Sequence, residues 1–282
     1  MNLYASFQIH EVTSEDVEYR RIDGEALQAR LYRPRGSGPC PAVVGVHGGA
    51  WTSNDRTTNQ AIDQALAASG VVVAALDFRM APKFPYPASV ADVNYGIRWL
   101  KANAAKFNTR PEWVGAVGTS SGGHLMLLNA LRPHDPQYAT GGAELGDVDA
   151  RISYAVACWP IADPLARYRM AKSKINARLV SAHHEFFGTE EVMTEANPQL
   201  ILERGVKRLP ILLLLQGTQD DNVTPYMAQT FERSYRAAGG QATLKTFEGQ
   251  PHTFITKDPN SAASVHAIEL MRRFVRQHGV AD

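Results

Sequence analysis

The sequence predicts an α/β protein, in which a mostly parallel eight-stranded sheet carries helices on both faces and a small helical lid insertion. Three observations predict this fold class. Compact apolar runs recur along the chain, helical patterns separate them, and one long segment has no strand pattern. Because 282 residues suit one large α/β unit, we expect residues 1–282 to form a single domain.

The strands are predicted in two groups. The first two flank Asp23-Gly24, a dipeptide typical of a two-residue hairpin turn. The next five are short apolar runs, which suit strands buried on both faces, and the last precedes the loop with His252. The eight predicted strands are residues 17–22, 26–32, 42–46, 71–76, 113–117, 152–157, 211–215 and 242–247. Ligands of such sheets bind beyond the carboxyl ends of the strands.

Apolar residues spaced by three and four predict the helices. The clearest patterns cover residues 59–69, 89–106 and 124–131. Thr224 is predicted to cap a helix that opens with Pro225, and Asn260 to cap the last helix. Residues 160–209 contain no strand pattern, and a segment of that length inside a compact domain is usually functional. We expect them to form a mainly helical lid insertion within the domain.

Composition excludes some function classes. Lys and Arg total 29 against 28 Asp and Glu, a balance that gives no field to attract nucleic acid or an anionic membrane. The N-terminus lacks a signal-peptide pattern, and apolar runs such as 211–215 are far too short for a membrane span. We expect a cytoplasmic protein with a small-molecule partner, and the sequence leaves a homodimer open. Cys40 and Cys158 are expected to be reduced thiols.

A nucleophile motif lies between the fifth predicted strand and a helix. Gly118-Thr119-Ser120-Ser121-Gly122 fits the pattern G-x-S-x-G. A sharp strand-to-helix turn holds such a serine in strained geometry, and its close neighbours must be glycine. The glycine spacing selects Ser120 as the nucleophile rather than Ser121.

A second glycine motif predicts an oxyanion hole. His47-Gly48-Gly49-Ala50 follows the strand at 42–46, and its glycines leave backbone amides unobstructed. We predict that Gly48, Gly49, Ala50 and Ser121 form the oxyanion hole. His47 is expected to shape this loop through a hydrogen bond to the backbone, rather than to act as a base.

The acid and the base are predicted from chain order, Ser before Asp or Glu before His. Asp220 and Asp221 follow the strand at 211–215, and Asp220 is the preferred acid. His252 follows the next strand and is predicted to take the proton of Ser120, while Asp220 orients its ring. His183 and His184 are adjacent and lack the spacing of a zinc pair, so no metal is expected.

These motifs resemble those of the α/β-hydrolase superfamily, particularly hormone-sensitive-lipase-like carboxylesterases and arylformamidases, over residues 31–275. The segment from Asp77 to Pro82, followed by Asp92, is similar to a family segment reading D-Y-R-L-A-P. The resemblance implies catalysis by Ser120, Asp220 and His252. It also implies oxyanion donors at Gly49, Ala50 and Ser121, and structural roles for Asp77, Arg79 and Asp92.

The sequence therefore predicts a serine hydrolase that cleaves short- to medium-chain or aryl carboxylic esters through an acyl-enzyme, without a metal or organic cofactor. Trp51 follows the oxyanion motif as in arylformamidases, so an arylformamidase or amidase is an alternative. A ligand-binding receptor built on a hydrolase fold is a non-enzymatic alternative. Trp51, Trp159, Phe186 and Phe187 are predicted to line an apolar substrate pocket, although aromatic residues are as often core.

Overall fold

The computed structural model describes residues 9–22, 24–36 and 38–280. Asp23 of the predicted hairpin turn therefore lies outside the described residues. The strands are β1 Val12–Ile22, β2 Glu25–Pro34, β3 Ala42–Val46, β4 Val72–Leu76, β5 Val114–Thr119, β6 Tyr154–Cys158, β7 Ile211–Gly217 and β8 Ala242–Phe247. The α-helices are α1 Gln60–Ala68, α2 Ala88–Ala102, α3 Ser120–Leu131, α4 Pro164–Ser173, α5 Ala177–Phe187, α6 Glu190–Glu195, α7 Pro198–Glu203, α8 Pro225–Ala237, α9 Phe254–Lys257 and α10 Ala262–His278.

The strands form one eight-stranded sheet in the order β1-β2-β4-β3-β5-β6-β7-β8. Strand β2 is antiparallel to both of its neighbours, and the strands from β4 to β8 pair in parallel. The predicted fold class is confirmed. Every residue of β3, β4, β5 and β6 is buried, which explains why these strands appear in the sequence as unbroken apolar runs.

Strand β1 begins five residues before its predicted start at residue 17, because its first half is held by charges rather than by apolar contacts. Glu15 forms an ion pair with Arg33 of β2, and Asp16 forms another with Arg30. Such cross-strand pairs stabilise an edge strand without any apolar alternation.

Two layers of helices cover the sheet. Helices α2 and α3 pack in the core on one face, and α1 and α10 pack in the core on the other. Helix α8 begins at Pro225 as predicted, whereas α10 is capped by Ser261 and not by Asn260. The Ser261 hydroxyl accepts a hydrogen bond from the Ser264 amide at 3.2 Å, which places the cap one residue later. No helix in the described ranges is long and apolar enough to cross a membrane.

The segment between β6 and β7 forms four helices, α4 to α7, within residues 160–209. Each begins at a side chain that accepts a hydrogen bond from an amide of the first turn. The four capping residues are Asp163, Asn176, Thr189 and Asn197. Closely spaced caps divide the segment into short helices, which explains why the sequence shows no long apolar period there.

A buried carboxylate joins β1 to the helical layer. Asp92 of α2 is fully buried and bonds to Arg20 at 2.5 Å and to Arg79 at 2.9 Å. Near them, Asp77 pairs with Arg56 at 2.7 Å. These contacts give Asp77, Arg79 and Asp92 structural roles, as the resemblance implies.

Candidate active site

Ser120 lies at the sharp turn where β5 ends and α3 begins, with a backbone φ of +52°. Residues with a Cβ rarely adopt this left-handed conformation, so the surrounding packing must hold it. A Cβ added to Gly122 would lie 2.3 Å from the carbonyl oxygens of Val46 and His47, and one on Gly118 would lie 2.8 Å from the Gly122 oxygen. The glycines of the motif therefore let β5, α3 and the end of β3 meet closely around the serine.

Ser120, His252 and Asp220 form a continuous hydrogen-bonded chain. The Ser120 Oγ lies 3.0 Å from His252 Nε2, and His252 Nδ1 lies 2.7 Å from Asp220 Oδ2. All three side chains are buried, with at most 9% of each residue exposed. The distances allow the Nδ1–H to donate to the carboxylate and leave Nε2 as the acceptor of the serine proton.

The Asp220 carboxylate is fixed by three further donors. The amides of Asn222 and Val223 donate to Oδ1 at 3.0 and 2.8 Å, and Gln216 Nε2 donates to Oδ2 at 3.0 Å. Asp221, the alternative acid in the sequence, is exposed to solvent. The loop after β7 thus turns Asp220, and not its neighbour, towards His252.

The loop after β3 lines the same cleft as Ser120 and carries backbone amides without an acceptor in the described part of the chain. The amides of Gly49 and Ala50 donate to no acceptor among the described residues. The Ser121 amide lies in the first turn of α3, where no intrahelical acceptor exists. Ala50 and Trp51 adopt φ values of +52° and +66°, so the loop keeps a strained conformation at the site. These three amides remain candidates for the oxyanion hole.

The structure corrects the prediction for Gly48. Its amide donates to the Thr119 hydroxyl at 3.0 Å, and that hydroxyl in turn donates to Asn59 Oδ1 at 3.2 Å. Gly48 lines the site, but its amide is occupied and cannot also hold an oxyanion. Thr119, which the sequence analysis did not single out, is the residue that ties the two glycine motifs together.

His47 shapes this loop, as expected. Its Nδ1–H donates to the Gly48 carbonyl at 2.8 Å, and its ring stacks on Phe78 at 4.3 Å between ring centres. Burial lowers the pKa of His47, so the ring is neutral at physiological pH.

A cleft of about 340 Å³ opens beside Ser120 and His252. Of the four aromatic residues predicted to line it, only Trp159 does so. The prediction is wrong for Trp51, Phe186 and Phe187, because these rings pack on one another in the core. The Trp51 ring stacks on Phe186 at 5.1 Å and meets the edge of Phe187 at 5.0 Å.

His124 of α3 belongs to the same aromatic cluster. It accepts a hydrogen bond from Trp51 Nε1 at 3.2 Å, and its Nε2–H donates to the Ala196 carbonyl at 2.8 Å. Burial lowers the pKa of His124 to about 4, which keeps this neutral tautomer at physiological pH. We call these four residues the aromatic cluster: Trp51, His124, Phe186 and Phe187. The cluster joins the loop after β3 to α3 and to the helical insertion.

Most of the polar lining was not predicted from the sequence. Arg167 of α4 and Arg178 of α5 enter the cleft from the insertion, Asn222 enters from the loop after β7, and Lys257 enters from α9. No motif marks these residues, because their approach to Ser120 depends on how the insertion folds back. A separate cavity of about 560 Å³ near Arg132, Ile152 and Pro210 contacts none of the three residues of the hydrogen-bonded chain.

Metal ligands are not clustered in the described part of the chain: no group of three or more His, Cys, Asp or Glu could hold an ion there. His183 Nδ1–H donates to the Leu179 carbonyl at 2.7 Å, and His184 Nε2 bonds to the Tyr168 hydroxyl at 2.7 Å. Both rings therefore make contacts within the insertion.

Comparison with known proteins identifies the family. The model of the BD-FAE family matches residues 30–235, which is most of the chain. The chain belongs to the BD-FAE family. The chain is 30% identical to the esterase LipC of Mycobacterium tuberculosis over 241 residues, which is 82% of its length. It spans only 58% of the length of LipC, so that likeness alone does not establish its activity.

Solved structures share the fold of this BD-FAE family member. The thermophilic esterase Est2 of Thermogutta terrifontis, with propionate bound, has a TM-score of 0.76 and 25% identity and covers 94% of each chain. The carboxylesterase EstE1 from a metagenomic library has a TM-score of 0.78 and 22% identity, over 99% of this chain and 92% of its own. Both likenesses agree with the α/β-hydrolase fold.

Proposed function

We propose that this chain is a serine hydrolase that cleaves carboxylic esters through an acyl-enzyme, with Ser120, His252 and Asp220 as its catalytic residues. The observation that carries the proposal is the buried hydrogen-bonded chain from Ser120 Oγ to His252 to Asp220, at 3.0 and 2.7 Å. A serine hydroxyl becomes nucleophilic when an oriented base removes its proton. The family and its esterase relatives support the same reaction.

In the first step the Ser120 Oγ attacks the ester carbonyl carbon, and its proton moves to His252 Nε2. The carbonyl oxygen becomes an oxyanion and accepts hydrogen bonds from the Gly49, Ala50 and Ser121 amides. As the ester C–O bond breaks, the proton on Nε2 passes to the leaving alcohol. Asp220 keeps the imidazole ring in the required tautomer.

In the second step a water molecule attacks the acyl-enzyme. His252 takes its proton, the oxyanion forms again at the same amides, and the acid leaves as Ser120 recovers its proton. The residues named so far supply the base, the acid and the oxyanion donors, so the scheme uses no metal or organic cofactor.

Short to medium acyl chains and aryl esters are the proposed substrates. A cleft of about 340 Å³ is at the small end of ligand pockets. The Est2 structures with propionate and with butyrate support a short acyl group. The formamidase alternative depended on Trp51, and because that ring lies in the aromatic cluster, no contact in the cleft favours a formamide.

The test is Ser120→Ala with p-nitrophenyl butyrate as substrate. We expect kcat to fall by about 10⁴- to 10⁶-fold, as in other serine triads. The control is Ser173→Ala, an α4 serine whose hydroxyl, among the described residues, bonds only to the Met170 carbonyl. A fluorophosphonate probe should label the wild type and the control but not Ser120→Ala. Full activity in Ser120→Ala would overturn the proposal, and an unlabelled, inactive wild type would favour a receptor.

A further inference from the structure

The cleft beside Ser120 is lined by cations without matching acids. Arg167, Arg178 and Lys257 line it, and none of the described residues that line it is Asp or Glu. Arg178 and Lys257 are exposed at its mouth, whereas Arg167 lies at its inner end with 1% of its surface exposed. This local excess of positive charge contrasts with the overall net charge of +1.

The hydrogen bonds of Arg167 leave part of its guanidinium unused. Nε and Nη2 donate to the Asn222 side-chain oxygen at 3.2 and 2.5 Å. Nη1 is buried and has no acceptor among the described residues. Nε also donates to the Asn222 carbonyl at 3.2 Å, and the centre of the Trp51 ring lies 5.8 Å from Arg167 Cζ. No carboxylate in the described part of the chain forms an ion pair with Arg167.

A structural role explains only some of these contacts. Through Asn222, Arg167 supports the loop that holds Asp220, and a neutral donor could do the same. Burying a charge without a direct ion-pair partner is costly, and an unused buried N–H adds to that cost. Burial and the nearby charge of Arg178 lower the pKa of Arg167 to about 9, although the Asp220 charge opposes this shift, so the guanidinium stays charged at neutral pH. Its charge and its spare donor suit an anion that enters the cleft.

We propose that the ester cleaved here carries a carboxylate, which reaches the inner end of the cleft and binds Arg167 while Arg178 and Lys257 attract it at the mouth. This inference rests on the proposed function. A guanidinium matches the planar geometry of a carboxylate, and charged hydrogen bonds are about twice as strong as neutral ones. Half-esters of dicarboxylic acids and esters of hydroxy acids have the required chemistry.

Two substrate pairs test the inference, one for each side of the ester bond. p-Nitrophenyl hydrogen adipate and p-nitrophenyl hexanoate differ by a carboxylate on the acyl part. 4-Acetoxybenzoate and its methyl ester differ by a carboxylate on the leaving phenol. We expect the wild type to prefer the charged member of at least one pair by about tenfold or more in kcat/KM, mostly through KM. Because exposed charges are screened, 0.5 M salt should lower that preference.

The variants assign the preference to named residues. Arg167→Gln should abolish it, and Arg167→Lys, which keeps the charge but loses the planar fork, should keep part of it. Arg178→Gln and Lys257→Gln remove exposed cations, should fold normally and should each lower the preference severalfold. The matched control is Arg169→Gln on the same helix, because the Arg169 side chain is 66% exposed and pairs with Glu190 outside the cleft.

The outcomes separate this inference from the proposed function. Equal turnover of charged and neutral esters by the wild type would overturn the inference and leave ester hydrolysis standing. Arg167→Gln that slows both members of a pair equally would assign Arg167 a purely structural role and would also overturn it. No turnover of any ester, together with no labelling of Ser120, would overturn the proposed function itself. If Arg167→Gln does not fold, the Arg167→Lys, Arg178 and Lys257 variants decide.

Discussion

Replacing Gly122 by alanine should damage both stability and activity, although helix propensity alone predicts the opposite. Gly122 lies in the first turn of α3, where alanine is ordinarily favoured by about 1 kcal/mol. Its added Cβ would lie 2.3 Å from the carbonyl oxygens of Val46 and His47 and 2.7 Å from the His47 carbonyl carbon. These are backbone atoms at the end of β3, and no side-chain rotation can remove them.

The Cβ distances give the minimum displacement of the backbone at the end of β3. Real Cβ contacts essentially never fall below 3.0 Å, so a contact of 2.3 Å requires a shift of at least about 0.7 Å. The segment that must move leads directly into Gly49 and Ala50. Overpacking of this kind typically costs about 1–3 kcal/mol of unfolding free energy. A misplacement near 1 Å at a catalytic site can cost about 10²-fold in rate.

The matched control is Gly96→Ala in α2. The Cβ added there would also have its nearest atom at 2.3 Å, but that atom is the Cδ1 methyl of Leu76, at the end of a flexible side chain. We expect Gly96→Ala to keep most of its kcat/KM for p-nitrophenyl butyrate and Gly122→Ala to lose about 10²-fold. Urea denaturation measures the accompanying stability change. A Gly122→Ala variant as stable and as active as the wild type would refute the steric reasoning.

Three further predictions concern buried charges and protons. Asp220→Asn should lower kcat by about 10⁴-fold with intact folding, as in other triads. A kcat reduced by less than tenfold would contradict the catalytic role of Asp220. The pKa of His124 is about 4 in the folded protein, against 6.5 for an exposed histidine. The stability that depends on a neutral His124 is therefore complete above pH 6.5 and is lost as the pH falls towards 4. The free energy of unfolding in urea should therefore fall between pH 7 and pH 5 by about 2 kcal/mol less in His124→Gln than in the wild type. Equal decreases in the two proteins would contradict this prediction. Asp92→Asn removes the buried negative charge that Arg20 and Arg79 share and should lower the free energy of unfolding by about 3–5 kcal/mol in urea. Glu11→Gln, at an exposed pair with Arg35, is its control and should change stability by less than about 1 kcal/mol; similar losses in both variants would contradict the argument.

The sheet could be predicted from the sequence because its central strands are buried on both faces and therefore appear as apolar runs. The start of β1 could not, because Glu15 and Asp16 hold it through charges on β2. The nucleophile, acid and base were predicted from short motifs at strand ends, where chain order limits the choice. Their geometry agrees with that prediction, and their catalytic roles stay proposals.

Features that depend on packing between distant segments were not predictable. Aromatic identity did not tell whether Trp51 faces the cleft or the core, and the φ of +66° that turns it inward has no sequence signal. Gly48 fits the oxyanion motif, yet its amide is taken by Thr119, 71 residues away. Arg167 reaches the cleft from α4 through the packing of the insertion, which no sequence motif marks.

The aromatic cluster has a consequence for how substrate enters. Trp51 continues the loop that carries Gly49 and Ala50, and its ring is covered by Phe186 and Phe187 of α5. If the helical insertion moved away from the cleft, the Trp51 ring would become exposed and the loop with Gly49 and Ala50 would lose this packing. We therefore expect the insertion to stay in place during turnover and substrate to enter through the opening next to Arg178 and Lys257. Activity should then need no oil–water interface, and heating should unfold the insertion and abolish the activity in a single transition.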